Sequence, residues 1–512
     1  MRTTATTTAG PVRGAFDERA RHPDHAPDGV VVFRAIPYAA PPVGPLRWHP
    51  PHPPSPWHDP RDATRVGPAA PQPLGGPLEG LVPGMAVGDT DEDCLTLDVW
   101  TPAVDGAARP VLVWLHGGAF TIGAGSLESY DGARLAANED VVVVSVNYRL
   151  GALGFLLIDH PDATANCGLL DQIAALEWVR DNIAAFGGDP GRVAVFGESA
   201  GAGSVMSLLS TTRSAELFHA AIVQSGATDL VLDRERALEV SRVVAQHAGI
   251  DPRDLAAWRA LPVDAVLDAQ VAAASDLLGT VGMMPFHPTV DGDVLEHDWL
   301  GAARAGISRD VALLIGTTRD EMALFASFDP TNATLDAEGL RRRVARLHPD
   351  PDAVLAAYAE ADDREGPVTP GRRWTAIQTD TAMWMPALRI AEAHASNQPD
   401  TWMYRFDWTA ADERLGACHG IDIPFPFDTL DRAGWDSFVA DWRAARQLAR
   451  AQQAAWAAMA RQGAPSTDLL PPWPRYDATR RATMILAAGP HVEHDPRGAV
   501  RAVWTRASTL PA

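Results

Sequence analysis

Lysine is missing altogether: all 43 basic residues are Arg. A chain without lysine cannot carry a Walker A phosphate loop, a Schiff-base lysine or a Ser-x-x-Lys nucleophile. Basic charge is scarce in total. Against the 43 Arg stand 65 Asp and Glu, for a formal net charge of −22, so the basic footprint of a nucleic-acid binder is absent. There are three cysteines, Cys94, Cys167 and Cys418, an odd and sparse set that is no disulfide framework in a chain of 512 residues. No stretch approaches the roughly 18 apolar residues of a membrane span. The opening MRTTATTTAGPVRGAF holds no apolar segment of signal-peptide length. The expected compartment is therefore the cytoplasm, with neither membrane nor nucleic acid as partner.

What is present is ordinary for a globular protein: 46% apolar and 21% charged residues, enough to bury a large core. No repeat or linker divides the chain, so a single domain over 1–512 is expected. Residues 37 to 83 are rich in Pro, but Trp48, Trp57 and the Ile36-Pro37-Tyr38 run argue for loops packed on a domain rather than a free linker. Leu95–Trp100, Val111–Leu115, Val141–Val146, Arg192–Phe196, Ala220–Gln224 and Ala312–Ile315 read as buried strands. Gly168–Phe186 has helical spacing, with Leu169, Leu170, Ile173, Leu176, Val179 and Ile183 on one stripe. Strands alternating with helices predict an α/β fold: a large, mostly parallel sheet flanked by helices. Residues 330 to 400 read as helical without obvious strands after them, and a helical cap insertion over about 325–415 is expected.

The sharpest motif is Gly197-Glu198-Ser199-Ala200-Gly201, between the Val193–Phe196 strand and a helix-like run through Val205, Met206, Leu208 and Leu209. G-x-S-x-G carries chemistry in that strand–turn–helix setting. Its glycines permit the sharp turn that lifts the Ser199 hydroxyl above the sheet, and the following helix start aims the Ala200 N–H at developing negative charge. A tight Gly-Ser turn without chemistry would share the glycines but not both flanks. Upstream, His116-Gly117-Gly118-Ala119-Phe120 follows another strand, where an α/β-hydrolase supplies oxyanion donors. Gly118 and Ala119 are assigned beside Ala200.

The chain order of this fold is Ser, then an acid, then His. The strand from Leu313 runs into Arg319-Asp320-Glu321, and either acid could orient an imidazole, though adjacent residues point apart. Five histidines follow. His348 and His394 lie in helical, polar surroundings and are expected at the surface; His491 and His494 lie near the polar C-terminal end. His419 stands between Gly416 and Gly420, after Cys418 and before the apolar Ile421–Phe427 segment. From the residues alone, a catalytic imidazole and a satisfied buried histidine are equal readings of it. The acid clusters Asp89–Asp93 and Asp291-Gly292-Asp293 read as solvated loops, so no metal and no cofactor is expected.

Together these residues resemble a type-B carboxylesterase, the family of bacterial para-nitrobenzyl esterases and cholinesterases. Phe186-Gly187-Gly188-Asp189-Pro190 through Gly201 fits the family's serine signature, and Glu92-Asp93-Cys94-Leu95-Thr96-Leu97-Asp98-Val99-Trp100 its second. Ile36-Pro37-Tyr38-Ala39, Pro42-Val43-Gly44, the His116–Phe120 loop, Asn147-Tyr148-Arg149 and Asp171-Gln172 also fit. The resemblance implies the α/β-hydrolase fold, a catalytic triad of Ser199, Glu321 and His419, and a covalent acyl-enzyme. Glu198 becomes an auxiliary acid beside the serine.

Three departures stand out. Met322 replaces the usual Gly after the acid. Ala70 stands where disulfide-bearing relatives place the partner of Cys94, so Cys94 is expected unpaired. Residues 71 to 93 hold no aromatic side chain, which removes the cation–π partner of a choline ester. The implied activity is hydrolysis of small to medium carboxylic esters by a monomer or homodimer. A lipase or amidase using the same triad, and a non-catalytic binding protein on the same fold, are the competing readings. Met283, Met284, Phe286, Met383 and Trp384 are candidate pocket liners, with core packing as the alternative.

Overall fold

The computed structural model describes residues 2–75, 83–228, 231–282, 284–361, 368–435 and 438–507. Eleven strands form one sheet: β1 Ala15–Asp17, β2 Val30–Pro37, β3 Thr96–Thr101, β4 Arg109–Leu115, β5 Val142–Val146, β6 Gly188–Glu198, β7 Ala220–Gln224, β8 Ala312–Thr318, β9 Thr401–Phe406, β10 Ala482–Leu486 and β11 His491–His494. Their spatial order is β11-β10-β9-β8-β7-β6-β4-β5-β3-β2-β1. From β5 through β4 to β10 every neighbour is parallel, and both edges are antiparallel. A small three-stranded sheet, Thr4–Thr6, Pro11–Arg13 and Arg61–Asp62, is hydrogen-bonded separately, and its Ala5 and Val12 pack into the same core.

The central strands are continuous apolar runs because helices cover both faces. β5 reads VVVSV and is buried throughout. One core layer joins Val111, Val113, Val142 and Val195 to α1 (Cys167–Asn182) and α2 (Ala200–Leu209). The opposite layer joins Leu112, Trp114, Phe196 and Ile222 to Trp456 and Met459 of a later helix, Trp442–Gln462. Apolar side chains alternate faces along each strand, so each strand feeds both layers.

Beyond residue 320 the chain runs through α3 (Met322–Ala326) and short helices to α4 (Pro370–Thr379), a π-helical turn at Asp380–Trp384, and α5 (Met385–Ala395). The expectation that no strands follow this helical stretch is corrected: β9, β10 and β11 extend the sheet, and β9 lies within 325–415. α5 packs on β8 and β9 as a crossover between two parallel strands. The Pro-rich segment is packed: Trp48 is fully buried against Trp258, and the Trp57 indole N–H donates to Pro11 O at 2.7 Å. Its residues 76–82 lie outside those described, as does Met283. Phe286 and Trp384 are core residues, each buried among other apolar side chains. Cys94 is buried and free.

Candidate active site

β6 ends at Glu198 and α2 begins at Ala200. Between them Ser199 adopts φ 55°, ψ −124°, a conformation costly for a residue with a Cβ. The turn closes only because its flanks are bare: a Cβ on Gly201 would overlap Leu115 O, and one on Gly197 would lie 2.5 Å from the Gly201 carbonyl carbon. The strained turn is held by the Ser199 N–H donating to Gln224 O at 2.9 Å.

β4 opens into the His116–Phe120 loop. Gly118 has φ +111°, and Ala119 and Phe120 have φ 55° and 58°. This turns successive N–H groups toward one point, the geometry of an anion nest. Among the described residues no acceptor is seen for the N–H of Gly118 or Ala119. His116 anchors the loop: its ring stacks on Tyr148 at 4.5 Å, Nδ1 lies 2.8 Å from Gly117 O, and its carbonyl accepts from the Tyr148 hydroxyl at 2.7 Å. Burial lowers its pKa to about 4, so the ring is neutral and Nδ1–H donates.

β8 leads into Asp320 and Glu321. Glu321 is fully buried; Oε1 accepts from the Thr318 N–H at 2.8 Å and Oε2 lies 2.6 Å from His419 Nδ1. His419 Nε2 in turn lies 2.8 Å from Ser199 Oγ and 3.3 Å from Glu198 Oε1. Thus Ser199, His419 and Glu321 form one hydrogen-bonded line. Asp320 points elsewhere, accepting from Ala417 N–H at 3.0 Å, while the Asp320 N–H donates to Ala417 O at 2.9 Å. Asp320 therefore ties the histidine loop to the acid loop. Met322 stands at the start of α3, its N–H donating to Thr379 Oγ1 at 3.0 Å.

His419 is buried, which by itself would lower its pKa. The carboxylates of Glu198 and Glu321 outweigh that effect and raise it above the ordinary histidine value. Burial pushes Glu198 up to about 8, so it shares a proton economy with the imidazole.

Sequence reasoning missed four residues in or behind the site. Asp422, buried and pushed up to about 6 by burial, accepts from Gln224 Nε2 at 2.9 Å, and Gln224 Oε1 accepts from Trp456 Nε1 at 2.9 Å. Phe325 sets its ring 5.3 Å from His419. The one legible signal was an acid inside the apolar Ile421–Phe427 run. The expectation for two histidines is corrected: His348 and His394 are 7% and 2% exposed. His348 packs edge-on against Trp504, and His394 Nδ1 lies 2.8 Å from Thr401 Oγ1.

Among the described residues, no group of three or more His, Cys, Asp or Glu side chains could hold a metal ion, and no helix is long and apolar enough to cross a membrane. The suspect acid clusters are occupied by turn hydrogen bonds: Asp291 Oδ1 accepts from the N–H groups of Asp293, Val294 and Leu295.

Known proteins resemble this chain along nearly its whole length. The carboxylesterase family model matches residues 2–504. A para-nitrobenzyl esterase of Bacillus subtilis is 37% identical over 477 residues, covering 93% of this chain and 94% of that protein. A phenmedipham hydrolase of Pseudarthrobacter oxydans is 36% identical over 497 residues, covering 94% of each. The crystal structure of a Geobacillus stearothermophilus carboxylesterase at pH 6.2 superposes with a TM-score of 0.86 at 38% identity, covering 98% of this chain and all of that one. The chain accordingly belongs to the carboxylesterase family, with its α/β-hydrolase fold and its ester-hydrolysing activity.

Proposed function

We propose that Ser199 is the nucleophile, His419 the general base and acid, and Glu321 the residue that orients the imidazole. The observation that carries this reading is the line of contacts from Ser199 Oγ through His419 to Glu321, 2.8 and 2.6 Å. His419 Nε2 takes the hydroxyl proton as Ser199 Oγ attacks the ester carbonyl carbon. The carbonyl oxygen becomes an oxyanion that accepts from the N–H groups of Gly118, Ala119 and Ala200. Loss of one such donor costs on the order of 10²–10³ in rate. The tetrahedral adduct expels the alcohol, which takes the proton from His419, and an acyl-enzyme remains on Ser199. Water, deprotonated by His419, repeats the sequence and releases the acid. Glu321 keeps the proton on Nδ1 and stabilises the imidazolium. Glu198, beside Nε2, is the auxiliary charge of the site.

The substrates we assign are small to medium carboxylic esters. The similarity to a para-nitrobenzyl esterase supports this class. The absence of any aromatic side chain in residues 71 to 93 argues against choline esters. The machinery needs no metal and no cofactor, and we place the enzyme in the cytoplasm as a monomer or homodimer, organised as one domain over 1–512 with the cap confined to the helices between α3 and α5. The test is a panel of para-nitrophenyl esters of rising acyl length, run beside Ser199→Ala. Activity on short and medium chains that the alanine variant abolishes is expected. Full activity of Ser199→Ala refutes the mechanism, and a preference for long chains moves the enzyme to the lipases.

A further inference from the structure

The loop that carries Gly118 and Ala119 closes on itself. The N–H groups of Thr121 and Ile122 both donate to Gly118 O at 3.0 Å. Gly123, with φ +106°, comes back beneath the first residues of the loop: a Cβ there would stand 2.6 Å from Gly117 O and 2.7 Å from His116 Nδ1. Gly123 is thus the floor under the Gly117–Gly118 peptide, whose oxygen faces it and whose N–H is the Gly118 donor, so a shift of the Gly123 backbone is passed to that peptide.

Gly123 is gripped by a side chain from far away in sequence. Gln72 Oε1 accepts from the Gly123 N–H at 2.7 Å, and Gln72 Nε2 donates to Gly123 O at 2.9 Å. The same Nε2 donates to Ala70 O at 2.9 Å, which fixes the amide's orientation. The side chain is buried. A primary amide that pairs with both the N–H and the C=O of one residue acts like a rung of sheet and restrains the two peptides that flank that residue. The segment it comes from is the Pro-rich loop, remote in sequence from the His116–Phe120 loop it braces.

We infer that Gln72 is a positioning residue for the oxyanion hole, holding the Gly118 and Ala119 donors in register through Gly123. This rests on the donor assignment made above. Gln72→Met keeps the side-chain volume and removes all three hydrogen bonds. Gln72→Glu keeps an acceptor for the Gly123 N–H but sets a carboxylate oxygen against two carbonyls. Active sites are counted by stoichiometric inactivation with an organophosphonate, and kcat per site, KM and the Ki of a trifluoromethyl ketone are measured. The ketone's tetrahedral adduct places its oxyanion in the hole.

Misplaced donors cost part of what a lost donor costs, so Gln72→Met is expected to lower kcat per site about tenfold with KM within about twofold. The ketone Ki should rise by the factor that kcat/KM falls, and Gln72→Glu should fall at least as far. Unchanged kcat per site and Ki, whatever the loss of Tm, overturn the inference and leave Gln72 a brace of its own loop. A fall in kcat with an unmoved Ki overturns it equally. If Ser199→Ala stays active, the donor assignment fails first; if Ser199→Ala is dead and Gln72→Met is intact, only the role of Gln72 fails.

Discussion

Glu198→Gln tests the electrostatics of the site through its pH profile. In the proposed mechanism His419 acts as a base only when neutral, so activity is expected to rise as pH passes its folded pKa. That pKa is raised because Glu198 and Glu321 face the ring from its two nitrogens. An ionised carboxylate 3.3 Å from Nε2 favours the imidazolium by about 5 kcal/mol at an effective dielectric near 20, about 3.7 pK units at full charge. Glu198 is only partly ionised over the relevant range, because burial pushes it up to about 8. The realised effect is therefore smaller, and at least one unit is expected. In the wild type the acid limb of kcat/KM should lie above the ordinary histidine value and report the two groups together. In Glu198→Gln the limb should move to lower pH by one unit or more and become a single ionisation. The assay is kcat/KM for a para-nitrophenyl ester from about pH 5 to 10, scored by the position of the limb and not by the plateau. A limb that stays within about 0.3 unit, or moves to higher pH, would falsify the coupling.

Two further outcomes follow from named contacts. Glu321→Gln removes the charge that fixes the His419 tautomer and should lower kcat by about 10⁴ at the plateau pH, with little change in KM; a loss below tenfold in steady-state kinetics contradicts its orienting role. Arg149→Met breaks a buried pair in which Nη2 lies 2.6 Å from Asp171 Oδ1 with both side chains almost wholly covered. An uncompensated Asp171 should cost about 3–5 kcal/mol in urea unfolding, and a cost below about 1 kcal/mol shows that the site rearranges or the acid protonates.

Much of this architecture is legible in the chain because its signals are local. The glycines flanking Ser199 and the buried runs around them lie within a dozen residues, and their steric reason is the overlap a Cβ would make with Leu115 O. Where a role depends on distant partners the residues alone fall short. Asp320 and Glu321 are equivalent acids in sequence; they part only because Thr318 N–H meets Glu321 and Ala417 N–H meets Asp320. His348, just after a helix, and His394, inside α5, look polar locally but are covered by Trp504 and by Thr401 of β9, both outside those helices. β9 escaped notice because it carries Arg405, whose guanidinium is met by Asp407 at 2.6 and 2.7 Å and so can be buried in a strand. Gln72 gave no signal at all, since its partner Gly123 is 51 residues away.

Covalent catalysis by Ser199 is the step on which the proposed mechanism stands. The direct measurement is to inactivate the enzyme with an organophosphonate ester, follow residual activity, and locate the adduct by peptide mass. One adduct per chain is expected, on Ser199, with activity lost in proportion to labelling and no labelling of Ser199→Ala. Activity that persists with Ser199 fully modified, or an inactivating adduct on another residue, contradicts it.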